Sequence, residues 1–102
     1  MRKTKKWLRQ PQEREGNYFF SGQFLITRGV QGLLSPKEVL AIYQEVQTLV
    51  KEKNGLDYLQ VYVHADTGQK LFFIDQLSQE MIVSRDFLPE YNYCTLLFAE
   101  EY

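Results

Sequence analysis

The chain of 102 residues has the length of one domain, and its content of 44% hydrophobic and 15% aromatic residues excludes a disordered chain. It holds one cysteine, which excludes an internal disulfide and a cysteine-based metal site and favours a reducing, cytoplasmic setting. No apolar run approaches the roughly 20 residues that a membrane span requires, so no membrane association is predicted.

Charge is distributed unevenly along the chain. Residues 1–14 carry six Lys and Arg against one Glu, a net charge of +5, whereas residues 15–102 carry six Lys and Arg against twelve Asp and Glu, a net charge of −6. Because residues 1–16 show no apolar periodicity, they predict a basic, flexible N-terminal arm, followed by a single domain over residues 17–102. No apolar segment follows the basic residues, which is unlike a secretory signal.

The first predicted element of the domain is a strand that begins at residue 17. Its alternation places Phe20 and Phe24 on one face and Phe19 and Leu25 on the other. Two glycines, at positions 29 and 32, then predict a break in the chain before the next element.

The clearest local signal is a helix that begins after Ser35. The Ser35 side chain can accept from the first-turn amides, Pro36 suits the first helical position, and Glu38 completes a capping box. Apolar residues then recur at steps of three and four, which predicts one apolar stripe along the helix. The Asn-Gly pair at residues 54–55 predicts its end.

A hairpin is predicted next. Residues 58–65 alternate, and Asp-Thr-Gly at residues 66–68 predicts the turn to a partner strand over residues 69–75, which is apolar on both faces and therefore central. In the first strand of this hairpin, over residues 58–65, the residues that we expect to face the core are Leu59, Val61 and Val63. Those that we expect to point outward are Tyr58, Gln60, Tyr62 and His64.

The last third of the chain predicts a short helix capped by Ser78, for which a strand is the alternative, and a final strand over residues 91–99. Hairpins with few helices predict an α+β fold. In this fold a mainly antiparallel sheet of four to five strands has one long helix packed on one face, with a short second helix.

Two segments give the chain a resemblance to a known family. ITRGV at residues 26–30 ends the first predicted strand, LDYLQV at residues 56–61 opens the second, and one amphipathic helix lies between them. Over residues 18–75 this order and spacing resemble small bacterial proteins grouped as domain of unknown function 960. Beyond that range the chain departs from the family, and its ending is similar to small proteins of bacterial plasmids and phages. The resemblance implies an α+β fold and a bacterial, mobile-element setting, and it implies no catalytic residue.

Reactive side chains are isolated in the sequence. His64 is the only histidine, which favours an ordinary surface imidazole over a metal ligand. Cys94 has aromatic and acidic surroundings, which favour a buried apolar residue over a nucleophile. Asp75 directly follows an apolar run and, if buried, needs a partner such as Arg28 or Arg85. With no nucleophile–base pair or metal constellation in view, the sequence predicts no enzyme, no cofactor and no metal, and a small enzyme is the least favoured function.

The basic arm suggests one alternative function, which is binding of nucleic acid. The candidate residues are Arg2, Lys3, Lys5, Lys6, Trp7 and Arg9. Basic side chains contact phosphates and an aromatic ring stacks on a base. The acidic body repels a polyanion, so any such contact is expected to be weak and sensitive to salt. The other interpretation is a solubilising arm, or one that folds back on the acidic body.

The aromatic content favours a protein-binding module instead. The chain has more aromatic residues than one core of this size accommodates, so some are expected at the surface, where Tyr is a favoured interface residue. The candidate contact residues are Phe19, Tyr58, Tyr62 and His64. Phe19 and Leu25 also suggest that the second face of the first strand is covered or paired. We therefore predict a protein–protein interaction or regulatory module that binds a protein with a basic surface or a second copy of itself.

Overall fold

The domain is built on a five-stranded sheet, seen in a computed structural model that describes residues 6–102. Its strands are β1 Trp7–Arg9, β2 Gln23–Ile26, β3 Leu59–His64, β4 Lys70–Asp75 and β5 Tyr93–Phe98. They lie in the order β1-β3-β4-β5-β2, with β2 parallel to β5 and the other three pairings antiparallel. The sheet is therefore mixed rather than purely antiparallel.

Three α-helices accompany the sheet in residues 6–102. They are α1 Arg28–Leu33, α2 Pro36–Lys53 and α3 Gln79–Ser84, with 3-10 turns at Pro89–Tyr91 and Ala99–Glu101. The α+β class with one long helix is thus confirmed. The helix α1 was not predicted, because the glycines at 29 and 32 indicated a break, yet the Thr27 side chain accepts from the Val30 amide and starts a helix there.

The ends of the predicted helices are confirmed in atomic detail. At the start of α2 the Ser35 hydroxyl accepts from the Glu38 amide at 3.2 Å, and the Glu38 carboxylate accepts from the Ser35 amide at 2.9 Å. The helix ends at Asn54, which adopts the left-handed conformation with φ 56°. The Ser78 hydroxyl accepts from the Met81 amide at 3.3 Å, so the segment after Ser78 is a helix and not a strand.

The N-terminal boundary of the domain differs from the prediction. Strand β1 pairs with β3, with Trp7 opposite His64, and the Trp7 side chain is only 8% exposed. A flexible arm over residues 1–16 is therefore wrong for the part that forms β1, while residues 1–5 lie outside the described range. No pattern in the sequence indicated this strand, because three residues are too few for alternation, and pairing with β3 supplies the stability.

The first predicted strand is shorter than expected. Only Gln23–Ile26 is extended in the sheet, because Phe20 adopts the left-handed conformation with φ 51°. The Phe20 amide donates to Asp75 Oδ2 at 2.8 Å, and its carbonyl accepts from Gln47 Nε2 at 2.7 Å. These tertiary hydrogen bonds hold a conformation that the local alternation does not indicate.

One face of the sheet forms the core together with α2, and we call it the covered face. Eight of its residues are at most 3% exposed: Gln60, Tyr62, Leu71, Phe73, Asp75, Cys94, Leu96 and Phe98. From α2, Val46 and Val50 belong to the same buried cluster, and the Tyr43 ring stacks on Phe24 with ring centroids 4.6 Å apart. The core therefore lies on this face of the sheet.

The faces of β3 are inverted relative to the prediction. Tyr62 is fully buried, whereas Val61 and Val63 point to the opposite face of the sheet. Alternation assigns residues to two faces but does not say which face is covered. Tyr62 is accommodated in the core because its hydroxyl donates to Glu45 Oε1 at 2.9 Å.

Candidate interaction surface

The opposite side of the sheet, which we call the open face, carries apolar side chains on all five strands, interrupted by Gln23, Lys70 and Thr95. Strand register places eight apolar residues on it: Leu8, Leu25, Leu59, Val61, Val63, Phe72, Ile74 and Leu97. Leu8 is 45% and Leu25 36% exposed, and none of the eight belongs to the core cluster or to the residues packed against it. An apolar surface of this extent is a signature of a binding face.

A groove of about 350 Å³ runs along the open face beside β3. Its floor is formed by Leu59, Val61 and Val63, and one wall is the segment at residues 10–13. The wall is held in place by two hydrogen bonds: the Gln10 amide donates to the Val61 carbonyl at 2.8 Å, and the Gln12 side chain accepts from the Asp57 amide at 3.2 Å. The groove is therefore fixed by the sheet on which it lies.

Charged residues lie at the two ends of this groove, and they differ in sign. Lys70 is in register with Val63 at one end, while Asp57 lies beyond Leu59 at the other. Glu13 follows Gln12, which is bonded to the Asp57 amide, and so lies at the acidic end. At about 3.3 Å per residue, the apolar floor between the ends measures about 13 Å.

A second cavity, of about 430 Å³, opens beside α3. It is lined by Gln76, Leu77, Met81, Phe87, Tyr91 and Tyr93. Tyr93 also lies on the open face, since it is in register with Gln23 and two residues from Thr95. The cavity and the open face therefore share a border at Tyr93. The apolar and aromatic residues after position 80 were a signal for this cavity, but their sequence does not reveal that they surround one space.

The predicted contact residues do not gather on one surface. Of the four, only Tyr58 is exposed, at 43%, and its ring lies 6.0 Å from that of Tyr18. Phe19 packs against the core. Tyr62 is fully buried, which is a correction to its predicted role at the surface.

His64, the fourth predicted contact residue, has a structural position at the hairpin. Its Nδ1 accepts from the Asp66 amide at 3.1 Å and from the Thr67 amide at 3.3 Å. The Trp7 ring meets it edge-on with centroids 4.7 Å apart. A half-buried ring with these partners stabilises the turn and its pairing with β1.

The candidate residues for nucleic-acid binding also lie in different surroundings, some buried and some exposed. The Trp7 ring is buried between His64 and Phe98, so it presents no free face on which a base can stack. Arg9 is half-buried, and its Nε donates to Gln60 Oε1 at 2.8 Å. Lys6 is exposed. The remaining candidates, Arg2, Lys3 and Lys5, lie outside the described residues.

Asp75 is the one buried carboxyl group on the covered face within residues 6–102. The predicted partners Arg28 and Arg85 are wrong, since its Oδ2 instead accepts from the Phe20 amide at 2.8 Å. Burial raises the pKa of Asp75 to about 6, while hydrogen bonds from backbone amides oppose the shift. Cys94 is buried, as predicted, and lies opposite Asp75 in the sheet. Burial raises the pKa of its thiol to about 12. A protonated thiol without access to solvent is not a nucleophile.

Other chemistry is sparse in the described part of the chain. Between residues 6 and 102, no three His, Cys, Asp or Glu side chains lie close enough together to hold a metal ion. None of the helices in the same range combines the length and the apolar character needed to cross a membrane.

Comparison of the chain with protein-family models, curated proteins and solved structures finds no match. The resemblance to domain of unknown function 960 therefore stays a prediction.

Proposed function

We propose that this protein is a protein–protein interaction module that binds its partner through the open face. The observation that carries the proposal is the row of eight apolar side chains that cross five strands without belonging to the core. Each apolar group that a partner removes from water contributes about 25 cal/mol per Å², so covering such a face is favourable. Singly scattered apolar residues need no explanation, but a continuous sheet face does.

The surroundings of the open face have the composition of an interface. Specific interfaces combine an apolar centre with a polar rim, and here Gln10, Gln12 and Lys70 border the groove over Val61. The cavity that borders the face at Tyr93 offers an aromatic-lined pocket for an anchoring side chain. These features support binding of a protein surface rather than turnover of a small substrate.

The cellular setting follows from the sequence. A single, buried cysteine supports a reducing cytoplasm, and the resemblance at residues 18–75 supports a bacterial origin connected with mobile elements. A net charge of −6 over residues 15–102 disfavours nucleic acid as the partner and permits a protein with basic groups. We propose a regulatory role in which the chain acts by occupying another protein surface, without catalysis.

The proposal is tested by site-specific photo-crosslinking in the cell that produces the protein. A benzophenone amino acid is placed at Phe72, in the centre of the open face, and in a second variant at Leu40, which is 52% exposed on α2. We expect a discrete crosslinked protein from position 72 and none from position 40. Equal crosslinking at both positions, or none at position 72, contradicts the proposal.

A further inference from the structure

We infer that the partner of the open face is a second copy of this chain, bound face to face. The two copies are related by a two-fold axis that lies in the plane of the interface and runs perpendicular to β3 and β4. The inference rests on the proposed function, since it names the occupant of the same surface. In this arrangement the strands of the two copies run in opposite directions across the interface. A two-fold interface requires a self-complementary surface, and both the charge and the shape of the groove meet that requirement.

The charges at the two ends of the groove are complementary to each other. Lys70 lies at one end and Glu13 with Asp57 at the other. Lys70 is in register with Val63, six residues from Asp57, so these two charges are about 20 Å apart along the strand, at about 3.3 Å per residue. Rotation about the proposed axis exchanges the two ends. It therefore places Lys70 of each copy near the acidic end of the other, so one surface supplies two identical attractive contacts.

The apolar floor of the groove is also balanced about its centre. Val61 lies midway between Leu59 and Val63 on β3, and Phe72 is directly opposite Val61 on β4. An axis that passes near Val61 and Phe72 sets Val61 of one copy against Val61 of the other and brings together the two Phe72 rings, each of which also meets the Tyr102 ring of its own chain edge-on with centroids 5.8 Å apart. Sheets that pack in this way lie about 10 Å apart, which is the distance that side chains of this size fill.

Partners of a single charge fit this groove less well. A basic protein surface meets Lys70, and an acidic one meets Glu13 and Asp57, so each has an unfavourable contact at one end. A partner must carry both signs at about the same separation with an apolar centre between them. The chain itself has this pattern, so a second copy satisfies the requirement without any further assumption.

The first experiment measures the mass of the purified full chain in solution by sedimentation equilibrium. We expect a dimer, and we expect Val61→Asp to be a monomer with an unchanged circular dichroism spectrum, because a carboxylate at the centre of the interface is left unpaired. Phe72→Ala provides a second, milder variant, expected to raise the dissociation constant. A wild-type chain that stays monomeric at about 1 mM, where even weak specific contacts are populated, overturns the inference.

A charge-reversal experiment tests the arrangement of the two copies. Lys70→Glu and Glu13→Lys both change exposed side chains, and each is expected to weaken the homodimer by about tenfold, because it sets like charges against each other twice. Mixed together, the two variants are expected to form a heterodimer in preference to either homodimer. The double variant is expected to regain the wild-type dissociation constant. Lys37→Glu and Glu52→Lys, exposed positions at the two ends of α2, are the matched controls and should change nothing.

The outcomes separate this inference from the proposed function. A dimer that ignores both charge reversals, or variants that do not prefer the heterodimer, overturns the two-fold arrangement. A monomeric chain whose position 72 crosslinks to a different protein overturns self-association and leaves the proposed function standing. A monomeric chain without any crosslink at position 72 contradicts both.

Discussion

The two faces of the sheet differ in a way that hydrophobicity alone would not suggest. The covered face buries polar groups, among them Gln60, Tyr62 and Asp75, each at most 3% exposed. The open face carries aliphatic side chains such as Val61 and Val63, which remain partly exposed. Gln60 and Tyr62 are tolerated because they have partners: Gln60 Nε2, for example, donates to Gln12 Oε1 at 2.9 Å and to the Asp57 carbonyl at 3.0 Å. Asp75 is paired only through Oδ2, and its Oδ1 is buried without a hydrogen-bond partner.

This contrast has a consequence for function. A face whose side chains are buried under a helix is complete within the chain, whereas an apolar face on which the Tyr102 ring contacts Phe72 and other side chains stay partly exposed gains from a further surface lying against it. The polar side of β3 therefore supports the fold, and its apolar side supports binding. The predictions that follow test this division of roles, from the largest expected effect to the smallest.

The largest effect is expected for a pair of neighbouring phenylalanines on opposite faces. Phe73→Ala removes a fully buried ring that contacts Phe20 with centroids 4.8 Å apart, and should lower the free energy of unfolding by about 3–5 kcal/mol. Phe72→Ala lies on the open face, and should lower it by about 1 kcal/mol in the monomer. Urea unfolding at a low protein concentration measures both. Equal losses would mean that the open face is already covered within one chain.

A second prediction concerns the buried carboxyl group of Asp75. Its folded-state pKa of about 6 lies above the ordinary value of 3.8, so the folded state binds the proton more tightly than the unfolded state. The stability from this group is present below pH 3.8 and is lost as the pH rises through about 6. From pH 4 to 7.5 the loss is at most about 3 kcal/mol, at 1.36 kcal/mol per unit of pKa.

Asp75→Asn isolates that contribution. The variant keeps an oxygen acceptor for the Phe20 amide but does not titrate, so its free energy of unfolding should depend less on pH than that of the wild type. Urea unfolding of both proteins between pH 4 and 7.5 gives the difference. The pKa of Glu38 is lowered by hydrogen bonds from Ser35, so its contribution to stability is lost as the pH falls. This contribution is the same in both proteins and cancels when their free energies of unfolding are compared. Parallel curves for the two proteins would contradict the prediction.

The sequence was informative wherever a local signal decides the structure. The capping box at Ser35, the stop at Asn54 and the cap at Ser78 were predicted because each depends on residues within one turn of helix. The hairpin turn at residues 66–68 and the α+β class followed from patterns of similarly short range. The buried position of Cys94 was predicted from its apolar neighbours.

Long-range pairing decided what the sequence did not reveal. The strand β1 depends on β3, more than 50 positions away, and the left-handed Phe20 depends on hydrogen bonds to Gln47 and Asp75. The same limit applies to the candidate surface. Leu25 was correctly placed on an apolar second face, but the face of β3 was assigned inward because aliphatic residues were expected in the core before Tyr62. Which side the helix covers is a tertiary property.

A third prediction compares Tyr62, which lies in β3, with Tyr58, which lies just before that strand. Tyr62→Phe removes a hydroxyl that donates to Glu45 at 2.9 Å in the core, and should lower the free energy of unfolding by about 1.5 kcal/mol, the range for a hydrogen bond to a charged group. Tyr58→Phe changes an exposed side chain and should stay within about 0.5 kcal/mol of the wild type. Thermal unfolding of the two variants is the measurement. A smaller loss for Tyr62→Phe than for Tyr58→Phe would show that the faces of β3 are wrongly assigned.

The smallest effect is expected at the rim of the covered face. There His64 accepts hydrogen bonds from two amides of the turn and its ring contacts Trp7. His64→Ala should lower the free energy of unfolding by about 0.5–1 kcal/mol and speed hydrogen exchange at the Asp66 and Thr67 amides. His64→Asn loses the ring but keeps a side-chain oxygen that can accept from the amide two residues on. If protection at Asp66 survives in the Asn variant, the acceptor atom stabilises the turn. If both variants lose it equally, the ring contact with Trp7 matters more, and the hairpin is held by its pairing with β1.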